Sequence, residues 1–152
     1  MRVIDCLDLK NLYEVDGALW LEKTVELLQE KKFNELDLDN LIAEIIAMGI
    51  SQKKELKNRL RVLIMHLLKY KYQTDKRSKS WLQIIIEQRR QLEDLLTYNP
   101  SLKSHLLEVM DKCYQDARKD GSKETSLPLQ TFPLTSPFSI EQILDHDFFP
   151  QN

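Results

Sequence analysis

The chain has 152 residues, of which 42% are hydrophobic and 30% charged, with a formal net charge of −2. Such a composition is ordinary for a soluble globular protein, and the length is that of one domain with a sizeable core. No stretch approaches the roughly 20 apolar residues of a membrane span, and the first residues do not resemble a signal peptide. The two cysteines, Cys6 and Cys113, lack ligand-like spacing and fit a reducing interior. We therefore expect a cytoplasmic protein with no membrane partner.

Helix breakers are rare until late in the sequence. There are three glycines and five prolines, and four of those prolines lie beyond residue 125. Because glycine and proline are the main interrupters of helices, this distribution predicts an all-α protein. We expect a bundle of four to five helices at residues 1–121. An ordered, proline-containing C-terminal extension at residues 122–152 then wraps the bundle within the same domain.

The first two predicted helices begin at aspartates, which are good N-caps. Asp16 starts a helix that runs to about Glu30, and Asp37 starts a second helix that ends at a break or kink near Gly49. Both carry apolar faces, at Leu19, Trp20, Val25, Leu27 and Leu28 in the first and at Leu38, Leu41, Ile42, Ile45, Ile46 and Met48 in the second.

The third predicted helix runs from Ser51 to about Tyr72 and contains the most unusual stretch of the chain. Residues 59–70 are apolar on all sides of the helix, which predicts a central, buried position. The same stretch carries Arg59, Arg61 and His66, and buried polar groups need a partner or a purpose.

The fourth helix starts at Ser80, which forms a capping box with Gln83. The fifth starts at Asn99-Pro100 and ends at Gly121. Beyond it the chain is too rich in proline for a long helix, although a second capping box at residues 139–142 predicts a short one. Four aromatic side chains of this extension, which would otherwise form an exposed apolar patch, are expected to dock on the bundle: Phe132, Phe138, Phe148 and Phe149.

The order of these signatures resembles a known bacterial family. The signatures are Tyr13-Glu-Val-Asp, Leu36-Asp-Leu-Asp-Asn-Leu, Met48-Gly, His66-Leu-Leu-Lys-Tyr, Arg77-Ser-Lys-Ser-Trp, Glu87-Gln-Arg and the closing Phe132-Pro to Phe148-Phe-Pro. Together they resemble the domain of unknown function 29 family over nearly the whole chain. The resemblance implies a compact helical protein and supplies no activity. Family members usually carry a second acid after Glu44, where this chain has Ile45-Ile46-Ala47.

Charge is distributed unevenly along the sequence. Residues 51–90 contain twelve basic and three acidic residues, so this segment is +9 and the remainder is −11. Basic residues alternate there with aromatic ones, as on a surface that follows phosphates and stacks bases. We predict a binding face for a protein partner or for RNA at Lys69, Lys71, Arg77 and Lys79. The alternative is that acids elsewhere in the chain or in a homo-oligomer neutralise this segment.

Arg61 and His66, with four residues between them, resemble the motif of the helical ribonucleases of the "higher eukaryotes and prokaryotes nucleotide-binding" superfamily. There the arginine steadies phosphate charge and the histidine transfers a proton. On one helix, however, the two lie about 140° apart, whereas Arg59 is nearly on the same face as His66. The alternative is a core histidine bonded to a carboxylate such as Glu44.

Other chemistry finds little support in the sequence. No Glu-x-x-His pair, zinc-like spacing, glycine-rich phosphate loop or nucleophile elbow is present, so we expect no metal site and no cofactor. We therefore predict a non-enzymatic interaction module that uses a basic face to bind a protein partner or a second copy. The alternative is an RNA-binding or RNA-cleaving enzyme that uses an Arg/His pair.

Overall fold

The computed structural model describes residues 6–151, with side chains from residue 9 onward. All regular elements in this part of the chain are helical, which confirms the all-α class. The α-helices are α1 (Cys6–Val15), α2 (Gly17–Gln29), α3 (Leu38–Tyr72), α4 (Lys79–Tyr98), α5 (Leu102–Thr125) and α6 (Ile140–Leu144). The first five residues and the Cys6 thiol, on which the sequence analysis also rested, lie outside the described part, whereas Cys113 is free and buried.

The chain divides into two compact units, Met1–Ser51 and Gln52–Asn152. The predicted boundary at residue 121 falls inside α5, because this helix continues to Thr125. Gly121 stays helical and lies against the Phe132 ring, and the left-handed residue that follows the helix is Ser126, with φ of 61°. The prediction that the helix ends at Gly121 is therefore wrong.

In the N-terminal unit, α2 starts where the sequence predicts. The Asp16 side chain accepts a hydrogen bond from the Leu19 N–H at 3.1 Å, which satisfies one of the free donors of the first turn. Trp20 is buried, and its Nε1–H donates to Asp37 Oδ2 at 3.1 Å, just before α3. Helix α1 is an element that the sequence pattern did not indicate.

Helix α3 continues through Gly49, so the predicted break there is wrong. A single glycine inside a helix costs only about 1 kcal/mol relative to alanine, and the helix-forming sequence on both sides outweighs it. The prediction of a buried stretch is confirmed in the C-terminal unit. Its core contains Leu56, Leu60, Leu63, Ile64, Leu67 and Leu68 of α3.

The N-caps of α4 and α5 each lie two residues from their predicted positions, at Ser78 and Ser101. Ser78, rather than Ser80, caps α4 by accepting a hydrogen bond from the Trp81 N–H. Asn99 ends α4 by donating its N–H to the Leu95 carbonyl, and Pro100 lies in the turn that follows. The residue before a proline is biased away from helical geometry, which explains the turn.

The C-terminal extension is ordered and packs on the core of its own unit, as predicted. Phe132 and Phe138 are buried there, and Phe148 and Phe149 pack against the same cluster. Ser139 and Gln142 form the predicted capping box at the start of α6. The extension therefore belongs to the C-terminal hydrophobic core.

Candidate functional site

His66 is a buried side chain of α3, with 6% of its surface exposed. Its Nδ1–H donates to the Val62 carbonyl at 2.9 Å, which fixes the ring against its own helix. Burial lowers the pKa of His66 from the ordinary value of 6.5, because a charged imidazolium is poorly solvated there. The carboxylate suggested by the sequence, Glu44, instead accepts a hydrogen bond from the Tyr13 hydroxyl at 2.6 Å. His66 is thus a satisfied core histidine, with a carbonyl as its partner.

The two candidate arginines have partners other than His66. Arg59 donates to Glu55 at 2.9 Å and to Gln88 at 3.3 Å, and Arg61 forms an ion pair with Asp120. None of these contacts brings a guanidinium to the imidazole ring. Within the described residues, the Arg/His pair is therefore not assembled into one site.

Lys69 and Lys71 of the predicted basic face are held by contacts within the C-terminal unit. Lys69 is buried, its Nζ donates to Glu124 at 2.9 Å, and it lies 4.7 Å from the centre of the Trp81 ring. Lys71 donates to the Gln151 carbonyl at 3.0 Å. Both charges therefore stabilise the unit itself.

The other two members of that face differ from each other. Arg77 donates to the Tyr70 carbonyl at 2.7 Å and stacks on the Tyr70 ring, with 4.2 Å between Cζ and the ring centre. Lys79 is exposed in the first turn of α4. Solvent thus reaches Lys79 freely, whereas Arg77 is partly covered.

Arg89 of α4 holds the end of α6. Its Nε donates to the Ile143 carbonyl at 2.8 Å and its Nη2 to the Gln142 carbonyl at 3.2 Å, and the guanidinium lies over the Phe149 ring. The side chain is 1% exposed, and burial lowers the pKa of Arg89 from its ordinary value. A cation at the last carbonyls of a helix complements its negative end. The role of Arg89 is therefore to dock the extension.

Two side chains of α5 hold the extension in the same way. Arg118 donates its Nε–H to the Phe132 carbonyl at 2.9 Å, and the Tyr114 hydroxyl donates to the Pro133 carbonyl. Burial raises the pKa of Tyr114 to about 12, because the phenolate is disfavoured away from water. Arg118 and Tyr114 thus bind main-chain carbonyls, as Arg89 does.

A cavity of about 260 Å³ lies between α4 and the end of the extension. His146 Nε2 and Glu93 Oε2 lie 2.7 Å apart at its wall, next to Arg89. Arg89 Nη1 has no hydrogen-bond partner and is shielded from solvent, so the cavity does not present this atom to a ligand. The cavity wall therefore carries the hydrogen-bonded pair of His146 and Glu93.

The N-terminal unit carries most of the exposed apolar surface among the described residues. Among side chains 9–151, twelve of sixteen exposed large apolar ones belong to it, and its buried apolar residues in that range are Leu9, Trp20 and Leu36. We call these twelve the N-terminal apolar surface: Val15, Leu19, Leu21, Val25, Leu28, Phe33, Leu38, Ile42, Ile45, Ile46, Met48 and Ile50.

Most of the sequence matches a known protein family. Residues 12–149 match the family described as "Domain of unknown function DUF29". The chain belongs to the DUF29 family. No curated protein matches it, and neither does any solved structure. The family assignment confirms the resemblance drawn from the sequence and brings no activity with it.

In this DUF29 protein, the described residues contain no group of three or more His, Cys, Asp or Glu side chains placed to hold a metal ion. The helices described between residues 6 and 151 also include none with the length and apolarity to cross a bilayer. Sequence reasoning identified apolar faces on the first two predicted helices and did not predict that they are exposed. The sequence held no signal for it, because an apolar stripe has the same spacing whether or not the chain covers it.

Proposed function

We propose that this DUF29 protein is a non-enzymatic interaction module that binds a partner protein through the N-terminal apolar surface. The observation that carries the proposal is the distribution of apolar side chains at residues 9–51, the part of the N-terminal unit with described side chains, where twelve large ones are exposed and three are buried. Monomeric soluble proteins rarely expose contiguous apolar patches beyond a few hundred Å², and larger ones mark interaction sites.

The energetics of the unit support the same conclusion. A segment of about 50 residues can bury only a small core, and segments of this size commonly need association or another staple for stability. Each Å² of apolar surface removed from water contributes roughly 25 cal/mol. Ile45 and Ile46 have 59% and 57% of their surface exposed, so covering them with a partner would contribute favourable free energy to binding.

The contacts of the basic residues favour the apolar surface over the basic face. Lys69, Lys71 and Arg77 donate to groups of their own unit, so a ligand there would have to compete with existing bonds. The ion pairs of Arg61 with Asp120 and of Lys69 with Glu124 support neutralisation of the basic segment by acids of α5. We accordingly propose that the partner binds the N-terminal unit. Of the predicted basic face, Lys79 is the residue that remains exposed to solvent.

The RNA-cleaving alternative has less support. It requires an accessible histidine beside a phosphate-binding arginine, whereas His66 is buried and donates to its own helix. A general acid or base must come within hydrogen-bond reach of the proton that it transfers.

The test is affinity purification of the tagged full chain from its native cell, with two matched variants. We expect a stoichiometric protein to co-purify with wild type and with Leu107→Glu, which places a charge at an exposed apolar position of the C-terminal unit. The Ile42→Glu/Ile46→Glu variant should lose that protein. Co-purifying RNA that is lost in Lys79→Glu and kept in Ile42→Glu/Ile46→Glu would overturn the proposal in favour of the basic face.

A further inference from the structure

One part of α3 is exposed on every side of the helix. All residues from 45 to 55 are exposed, which corresponds to about three successive turns. A helix that packs along one side has buried residues every three or four positions, as α3 does from Leu56 to Lys69. We call residues 45–55 the exposed span of α3.

Side-chain bonds do not hold the exposed span in place. From residue 45 to residue 54, no side chain forms a hydrogen bond, ion pair or ring contact with another described residue. Both flanks of the span are held by such contacts or by burial. Glu44 accepts a hydrogen bond from the Tyr13 hydroxyl, and Leu56 belongs to the core of the C-terminal unit. The span thus lies between two anchored parts of one helix.

The stability of the span therefore depends on backbone hydrogen bonds and on helix propensity. In an α-helix each amide donates to the carbonyl four residues earlier, so the amides of residues 49–55 have their acceptors inside the span. The span contains three β-branched isoleucines together with Gly49 and Ser51, all weaker helix formers than alanine. Isolated helices of this length are marginal in water even when they are rich in alanine.

Neither packing nor backbone geometry requires the glycine of this span. A Cβ added to Gly49 would meet no described atom within 4 Å, and none of the described glycines has a positive φ. Alanine would fit the same position and would favour the helix more strongly. Gly49 therefore lowers the free energy that is needed to open the span.

We propose that the exposed span of α3 is a joint that opens by local unfolding while the two compact units stay folded. The boundary between the units, after Ser51, lies inside the span. Segments with few buried contacts and with solvent-exposed backbone hydrogen bonds open at a small fraction of the free energy of global unfolding. The joint is a property of the free chain and does not depend on the proposed function.

Native-state hydrogen exchange of the full chain, followed at single amides by NMR, tests the proposal. The matched comparison lies in the same helix, because the amides of residues 64–70 donate to carbonyls of the buried stretch. After correction for intrinsic rates, the amides of residues 49–55 should exchange at least about 100-fold faster than those of residues 64–70. The amides of residues 22–28 in α2 should also exchange more slowly than those of the span.

Two results of this measurement would overturn the proposal. Equal protection of residues 49–55 and 64–70 would show that the span is as stable as the buried part of α3. Amides of α2 that exchange as fast as those of the span would show that the N-terminal unit opens as a whole, so that no local joint exists.

Two glycine variants test the cause of the opening. Gly49→Ala should slow exchange within the span about fivefold, because alanine favours the helical state. Gly17→Ala is the matched control, since a Cβ at Gly17 also meets no described atom within 4 Å and Gly17 begins α2, outside the span. The control should leave exchange within the span unchanged. If Gly49→Ala leaves it unchanged as well, or if both variants slow it equally, the proposal is wrong.

Discussion

Replacing Arg89 by methionine is expected to release the C-terminal extension from α4. The substitution keeps most of the side-chain length, and it removes the guanidinium that lies over the Phe149 ring and donates to the carbonyls of Gln142 and Ile143. Those carbonyls lie at the end of α6, where Ile143 and Arg89 are buried, so water does not readily replace the lost donors. The extension should therefore become the least stable part of the C-terminal unit.

The magnitude follows from two opposing effects. A hydrogen bond from a charged donor contributes about 1.5–3 kcal/mol net, so the two bonds of Arg89 contribute about 3–6 kcal/mol. Removing the guanidinium also removes the desolvation cost of burying a charge whose Nη1 has no hydrogen-bond partner. This gain offsets part of the stability that the two hydrogen bonds contributed. We expect a net loss of about 2–4 kcal/mol in the free energy of unfolding, a large part of the roughly 5–15 kcal/mol of a typical domain.

The assay is urea unfolding followed by circular dichroism, together with hydrogen exchange of residues 140–149. Arg90→Met is the matched control, because Arg90 is the adjacent arginine and forms an exposed ion pair with Glu87 at 3.2 Å. Such a pair contributes about 0–1 kcal/mol, so the control should unfold almost as wild type does. If Arg89→Met has the same urea midpoint as wild type or a higher one, the desolvation of the guanidinium outweighs its hydrogen bonds and the reasoning fails.

Three further predictions concern single buried groups. Tyr114 has a folded pKa of about 12 against 10.0 unfolded, so its contribution to stability is complete below pH 10.0 and is lost as the pH rises towards 12. Urea midpoints of Tyr114→Phe should therefore fall less steeply over that range than those of wild type, and equal slopes would contradict the assignment. His66 has a folded pKa below 6.5, so its contribution is present above pH 6.5 and is lost as the pH falls through the folded pKa. The His66→Gln variant should lose less stability on acidification, and an identical pH profile would contradict this. Trp20→Phe removes a donor to buried Asp37 and should lower the free energy of unfolding by about 1–3 kcal/mol, measured with urea; an unchanged midpoint would show that the bond contributes nothing.

The helical class, the ordered extension and two helix starts were predictable because they depend on local features of the sequence. Asp16 caps α2 through its own side chain, and Ser139 and Gln142 form a capping box within four residues. The aromatic content of the extension likewise required a docked position, since exposed phenylalanines are unfavourable in water. These properties involve few partners that are distant in sequence.

The partners of the polar side chains were not predictable in the same way. Arg89 and Arg118 donate to carbonyls 54 and 14 residues away, and Lys69 donates to Glu124. These basic side chains therefore connect distant segments of the fold. A charge count along the chain cannot distinguish a cation that faces solvent from one that meets a distant acceptor. For the same reason His66 could be assigned to the core, while its partner could not be named.

Periodicity determined that Leu38, Ile42, Ile45 and Ile46 share one side of a helix, and the sequence by itself went no further. Leu60 and Ile64, with a similar pattern in the same helix, are buried in the C-terminal unit, whereas Ile42 and Ile46 are exposed in the N-terminal unit. A local pattern states that a face is apolar, and only the tertiary structure decides whether the chain itself covers that face. Burial depends on the elements packed nearby, and those described in the N-terminal unit leave Ile42 and Ile46 exposed.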